Sequence, residues 1–400
     1  MKVILAASSG GTWNTITEDC QQALLKAPCI IGASRMLEAL PKSCTGRRFP
    51  ALWPQAILDA IEECMEEESC VVLYSGDTGF YSGARCLIPL LQKAGIPFQV
   101  YPGISSVQLL SAALARPWQD WLLLSAHGVD CNPVGAVMQG KTVFFLTGGM
   151  LNPGVLCGEL VEAGLENLPV TIGENLSYPQ QCIYQGTAGE FANKQFATLS
   201  VLLAEPATVM RRTPGFPDSL FVRGDVPMTK QEVRAAILAK LAPEPEDILW
   251  DIGAGTGSVS VELALASSWG RTYAVECNEK ACELIRINRE KLGAWNLHLV
   301  QGKAPEALDQ LETPDAVFIG GTKGSMESVV EKVLGRNPKA RICISAICIE
   351  TVYQAVQALQ SRGIEPEITQ INVSRGKSAG SLHLLMANNP VFLISGVRND

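Results

Sequence analysis

Short apolar runs alternate along the whole chain with segments in which apolar positions recur every three to four residues. In the first half the short runs predict strands at 2–7, 70–75, 97–101, 121–125 and 142–146, with helical periods such as 54–67 and 105–114 between them. Two further strand-like runs, 181–186 and 198–204, have no long helix between them, which predicts an antiparallel or mixed sheet at the end of this half. The second half is more regular. Strands are expected at 247–251, 272–276, 297–300, 315–319 and 341–345, with helices between them, and a last helix is followed by strands at 367–373 and 382–387. Five strand–helix alternations closing in a strand pair predict a seven-stranded mixed sheet, so the expected class is α/β throughout.

Residues 205–228 interrupt this rhythm with four prolines, two glycines and no sustained period, and mark the expected boundary between a domain at 1–210 and one at 211–400. Directly after it, Thr229 stands three residues before Glu232 and ahead of Val233, Ile237, Leu238 and Leu241, the pattern of a capping box opening a helix. The 400 residues are 47% apolar and 18% charged, enough for two large cores and unlike a disordered chain. No apolar run approaches the length that spans a bilayer, and MKVILAASSGGTW reads as a first strand rather than a signal peptide, so a cytoplasmic protein without membrane partners is expected. The net charge is −8 and neither half has an excess of Lys and Arg, which argues against nucleic acid as a partner. The 13 cysteines include no Cys-x-x-Cys pair, and there are three histidines, so reduced buried thiols are expected, with neither a disulfide framework nor a metal site.

The sharpest chemical signal is DILWDIGAGTGS at 247–258. A strand runs into Gly253, Ala254, Gly255, Thr256 and Gly257, and a helix begins at once, so glycines let the backbone approach a ligand while the helix start offers free N–H groups. One strand later Glu276 ends RTYAVE, where a carboxylate can accept ribose hydroxyls. The spacing Gly-x-Gly-x-Gly, with Asp251 at the strand end, favours S-adenosylmethionine; a dinucleotide or a plain packing turn is the alternative. Thr229 either only caps its helix or also faces that cofactor. Gly320 and Gly321 stand where nucleic-acid amino-methyltransferases carry an Asn/Asp-Pro-Pro-Tyr run, and suit a flat ligand instead.

The stretches TPGFPDSLF (213–221), PMTKQEVRA (227–235), LWDIGAGTGSVSVE (249–262), GKAPEAL (302–308), FIGG (318–321), ISAICIET (344–351) and SRGKSAGSLHLLMANNPVFLISG (374–396) resemble the precorrin methyltransferase domain that methylates carbon 15 of a corrin precursor and decarboxylates it. YSGDTGFYSGA (74–84), YPGISSVQLL (101–110), SAHG (125–128), FFLTGG (144–149) and GENLSYPQQCIYQGT (173–187) resemble the tetrapyrrole methylase family, in particular the domain that methylates carbon 5. The resemblance implies a two-subdomain tetrapyrrole-methylase fold followed by a Rossmann-like class I methyltransferase domain, with one S-adenosylmethionine in each. It places Ser75, Gly76, Asp77, Ser105 and Ser106 around the first cofactor and adds Ala304 to the second. From the residues alone, Asp77 could equally hold its own turn and Ser105 cap its helix. The implied activity is methylation of a precorrin-type tetrapyrrole at carbons 5 and 15 with loss of a ring acetate as carbon dioxide, in cobalamin biosynthesis. Alternatives are the same step on a cobalt precorrin, or methylation of another small molecule or RNA. A substrate with many carboxylates implies cationic anchors, for which Arg375 and Lys377 in the SRGK turn, Arg211, Arg212 and Arg223 are candidates. His127 is a candidate substrate contact, no catalytic residue is assigned, and a homo-oligomer is expected.

Overall fold

The computed structural model describes residues 1–127, 131–210 and 213–398, and the candidates Arg211 and Arg212 lie outside these. The chain divides into two compact units, one of Met1–Cys131, Lys141–Gly158 and Asn167–Glu205, the other of Asn132–Gly140, Glu159–Glu166 and Pro206–Asp400. Among the described residues no helix is long and apolar enough to cross a membrane.

The first unit contains two five-stranded sheets. One is wholly parallel, in the order Arg47–Pro50, Cys29–Gly32, Ser69–Tyr74, Lys2–Ala7, Phe98–Tyr101. Its central strands are almost continuously buried, as expected of a parallel sheet covered on both faces. The other is mixed, in the order Leu122–Ser125, Val143–Leu146, Ser200–Ala204, Pro169–Glu174, Cys182–Thr187. The two runs expected to close this half are both strands, but they do not pair with each other. Pro169–Glu174 lies between them and was not foreseen, because a leading proline and an internal glycine dilute its apolar pattern.

The second unit is built on one seven-stranded sheet, in the order Leu297–Gln301, Arg271–Glu276, Ile248–Ile252, Ala316–Ile319, Arg341–Ala346, Val391–Gly396, Glu367–Ile371. Six strands run in one direction, and Val391–Gly396 runs antiparallel to both its neighbours. The expected count is right, but one member is different. The run 382–387 is a strand, yet it leaves the sheet and pairs with Ser374–Ala379 in a hairpin whose residues are all exposed. Apolar content misplaced it, since Leu382, Leu384, Leu385 and Met386 resemble a core strand while being 52–78% exposed. Arg375 and Lys377 therefore stand on a strand of this hairpin rather than in a turn.

The capping box at Thr229 is not formed. The helix is Gln231–Leu241 and its N-cap is Lys230. The Gln231 N–H donates instead to the Asp218 carboxylate at 3.0 Å, and the Glu232 carboxylate accepts from Arg375 at 2.7 Å. The reason is Arg234, fully buried one turn into this helix. Its Nε donates to Glu262 at 2.7 Å and its Nη1 to Asp218 at 3.0 Å, and it also donates to the carbonyls of Thr229 and Phe216. Glu262 in turn accepts the N–H groups of Gly215 and Phe216, at 2.5 and 3.0 Å. The segment 215–229 is thus tied to two helices by one buried ion pair. Arg234→Ala would leave the Glu262 carboxylate buried without its charge partner, at a cost of about 3–5 kcal/mol. Denaturant unfolding of the full chain should show a loss of that size, smaller when Glu262 is replaced together with Arg234; a loss below about 1 kcal/mol would contradict this role.

Candidate functional site

In the second unit the strand Ile248–Ile252 ends in the glycine loop, and each glycine answers a different demand. Gly253 has φ +74°, and a Cβ there would lie 2.4 Å from the Gly321 carbonyl oxygen, so the loops after two neighbouring strands meet back to back. Gly257, φ +73°, would press a Cβ against Ile285 at 2.9 Å and serves helix packing rather than the cavity. Gly255, φ +56°, has only Pro227 and Val226 near its missing Cβ. A cavity of about 650 Å³ opens at this loop, lined by Thr229, Gly253, Ala254, Gly255, Thr256 and Glu276 of the expected residues. An adjoining one of about 170 Å³ is lined by Gly253, Glu276 and Ala304. All the second-unit cofactor candidates except Gly257 therefore converge on one place. Arg375 does not. Its guanidinium is engaged by Asp218 and Glu232, 3.0 and 2.7 Å away, and like Lys377 it lines neither cavity.

Glu276 is a loop organiser in its own right. One carboxylate oxygen accepts the Gly255 N–H at 2.9 Å, the other the N–H groups of Cys277 and Asn278 at 2.8 Å each. The sequence reading missed Lys323, which lines both cavities in a left-handed conformation (φ +50°) with its Nζ 3.2 Å from the Cys277 Sγ. Beneath the loop, Asp251 is wholly buried. It accepts from the Ser260 hydroxyl through one oxygen, and the other has no partner. The Thr256 hydroxyl, buried and on the cavity lining, also has none.

In the first unit a cavity of about 460 Å³ lies at the ends of the strands Lys2–Ala7 and Ser69–Tyr74, lined by Ser75, Gly76, Ser105, Ser106 and His127. The Ser106 hydroxyl is buried there and has no partner among the described residues. Asp77 is not on the lining. Its two oxygens accept the N–H groups of Gly103 and Gly79, at 2.9 and 2.7 Å, which stitches the 75–79 loop to the 103–106 loop. Ser105 opens the helix Ser106–Leu114, its N–H donating to the Gln108 side chain at 2.6 Å.

Residues 220–398 match the family described as the precorrin methyltransferase domain, and residues 2–192 match the tetrapyrrole (corrin/porphyrin) methylases. A probable cobalt-precorrin-6B C(15)-methyltransferase (decarboxylating) of Pyrobaculum calidifontis is 43% identical over 186 residues, 46% of this chain and 95% of that protein. The chain belongs to the precorrin methyltransferase family. A Sinorhizobium precorrin-6Y C(5,15)-methyltransferase (decarboxylating) is 29% identical over 385 residues, 91% of this chain and 89% of that protein. Among solved structures, one titled precorrin-6Y C5,15-methyltransferase from Geobacter metallireducens is 36% identical, covering 47% of this chain and 98% of that one, with a TM-score of 0.45.

Burial pushes the Asp251 carboxyl up to about 7; the Ser260 hydrogen bond opposes this and the nearby Glu276 charge adds to it. A group whose pKa is raised on folding stabilises the fold below its unfolded value of about 4, and that contribution is lost as pH rises through about 7. Asp251→Asn mimics the neutral acid at every pH. Thermal melts of both proteins between about pH 5 and 8 should show the wild type losing several degrees relative to the variant as pH rises. Parallel curves would show that the Asp251 carboxyl does not titrate in this range.

Proposed function

We propose that the chain is a two-site methyltransferase of cobalamin biosynthesis that methylates precorrin-6Y at carbons 5 and 15 and removes a ring acetate as carbon dioxide, giving precorrin-8X. The observation that carries this reading is that each unit holds its own cavity at the ends of parallel strands, lined by a glycine-containing loop and a buried hydroxyl without a partner. That is what two separate cofactor sites require. The carbon-5 step is assigned to 1–210 and the carbon-15 step with decarboxylation to 211–400. The strand order of the second unit, which reverses direction of growth beside the glycine loop, supports a Rossmann-like class I methyltransferase. The apolar strand of the exposed hairpin supports self-association of the chain.

S-adenosylmethionine supplies, when bound, an electrophilic methyl group on a sulfonium. The residues fit it. Gly253 and Gly255 present backbone without a side chain, Glu276 offers carboxylate lone pairs beyond those its loop uses, and Thr256 and Ser106 each have a hydroxyl to give. The nucleophile is a carbon of the macrocycle, and the conjugated ring accepts the electrons released by decarboxylation. The chain's own task is then positioning and exclusion of water.

Gly255→Val places a branched side chain at φ +56°, with its Cβ about 3.4 Å from the Pro227 carbonyl oxygen. Carbon-15 methylation and decarboxylation should be abolished while carbon-5 methylation continues; Asp77→Ala, which unstitches the first unit's loops, should impair carbon 5 alone. Product mass and NMR of carbon-labelled methyl groups read both. A variant that loses both methylations, or a Gly255→Val product methylated at carbon 15, would refute the division.

A further inference from the structure

The first unit's cavity of about 460 Å³ adjoins a second of about 260 Å³, and the two share Arg35, Met36, Ser75, Tyr178 and Leu199 in their linings. The two cavities meet at these shared residues, and this junction, with Arg35 and Tyr178 in it, is called the waist below. Among the described residues the linings contain no carboxylate and one permanently charged side chain, Arg35. The chain has 40 acidic residues against 32 basic ones, so a lining whose described charge is a single cation runs against the overall balance.

Arg35 is the one guanidinium among the described residues of these linings, and its charge is unpaired. Arg116 pairs with Glu205 and also bonds Thr142, and Arg48 donates to the Leu37 carbonyl at 2.8 Å. Among the described residues Arg35 makes no ion pair, and of its five N–H donors one reaches Tyr178 Oη, at 3.5 Å. Its support is well built. Arg35 rides on the helix Ser34–Glu38, which follows the buried strand Cys29–Gly32 and is held down by Leu37, 3% exposed. Tyr178 is placed by the 175–178 turn, where Asn175 and Ser177 have φ +48° and +72° and the Ser177 hydroxyl donates to the Gly10 carbonyl at 2.8 Å. Gly10 and Gly11 have no room for a Cβ against Ser177 and Tyr178. The waist is therefore a fixed feature, while the charge it presents is uncommitted. Around it the wall is apolar, with Leu52 66% and Tyr81 52% exposed.

We propose that Arg35 is the carboxylate anchor of the first unit, gripping an acidic side chain of the macrocycle bidentately across the waist while the ring lies on the apolar wall. This rests on the reading of the first unit as the carbon-5 site. The planar fork of arginine matches a carboxylate, whereas a lysine supplies only a point charge. Arg35 is thus a positioning residue, and its loss should appear in substrate affinity.

Steady-state kinetics of the full chain on precorrin-6Y at saturating S-adenosylmethionine, with carbon-5 and carbon-15 methyls separated by NMR, tests this. Arg35→Ala should raise the KM for carbon-5 methylation about tenfold or more, with kcat changed far less, the carbon-15 KM unchanged and cofactor affinity by calorimetry unchanged. Arg35→Lys should recover part of the loss, and added salt should raise the wild-type carbon-5 KM more than that of Arg35→Ala. A carbon-5 KM unchanged in Arg35→Ala, or a loss shared with cofactor affinity, overturns the anchor while leaving the carbon-5 assignment standing. If the wild type forms no carbon-5 methyl at all, the assignment itself fails and the anchor with it.

Discussion

The Arg234–Glu262 ion pair, both side chains wholly buried, is the constraint on which the second unit's site depends. A guanidinium withdrawn from water is tolerable only when its donors are satisfied, and here two carboxylates and two backbone carbonyls do so. The consequence reaches the cavity, because Thr229 and Pro227 on its rim belong to the segment that Arg234 holds. It reaches the hairpin as well. Asp218 shares its carboxylate between Arg234 and Arg375, so the exposed strand pair is fastened to the same knot.

The two units use different loops for a similar purpose, and in both a carboxylate near a strand end staples them. Asp77 accepts N–H groups from two loops, and Glu276 does so for the glycine loop and its own turn. Their backbone amides are thereby fixed in direction before any ligand arrives, which lowers the ordering cost of binding. This also separates holding from touching. Asp77 organises a site whose cavity it does not line, whereas Glu276 organises its loop and lines the cavity too.

The periodic pattern was a good guide to the strands of the second unit and a weaker one where burial and hydrophobicity part company. Ile248–Ile252 and Arg271–Glu276 could be read because central parallel strands carry unbroken apolar runs, Ile248–Trp250 in one and Tyr273–Val275 in the other. Leu382–Ala387 misled for the opposite reason, being apolar and exposed. Arg47–Pro50 escaped notice because two arginines and a proline leave it a single apolar side chain, and Cys29–Gly32 because a proline and a glycine bracket its short apolar run. At the sites, glycine spacing picked out Gly253 and Gly255 because backbone geometry demands them locally. Arg35 left no such mark. Its meaning lies in the described linings of two cavities, where it is the single charged side chain, and that is a property of the fold rather than of neighbouring letters.

Two methyl transfers and a decarboxylation on one chain must all be written into a single product. Mass spectrometry of precorrin-6Y after incubation with the full chain and excess S-adenosylmethionine tests it most directly. The expected product has gained two methyl groups and lost one carbon dioxide. A product with a single added methyl at complete conversion, whatever the cofactor excess, would contradict it.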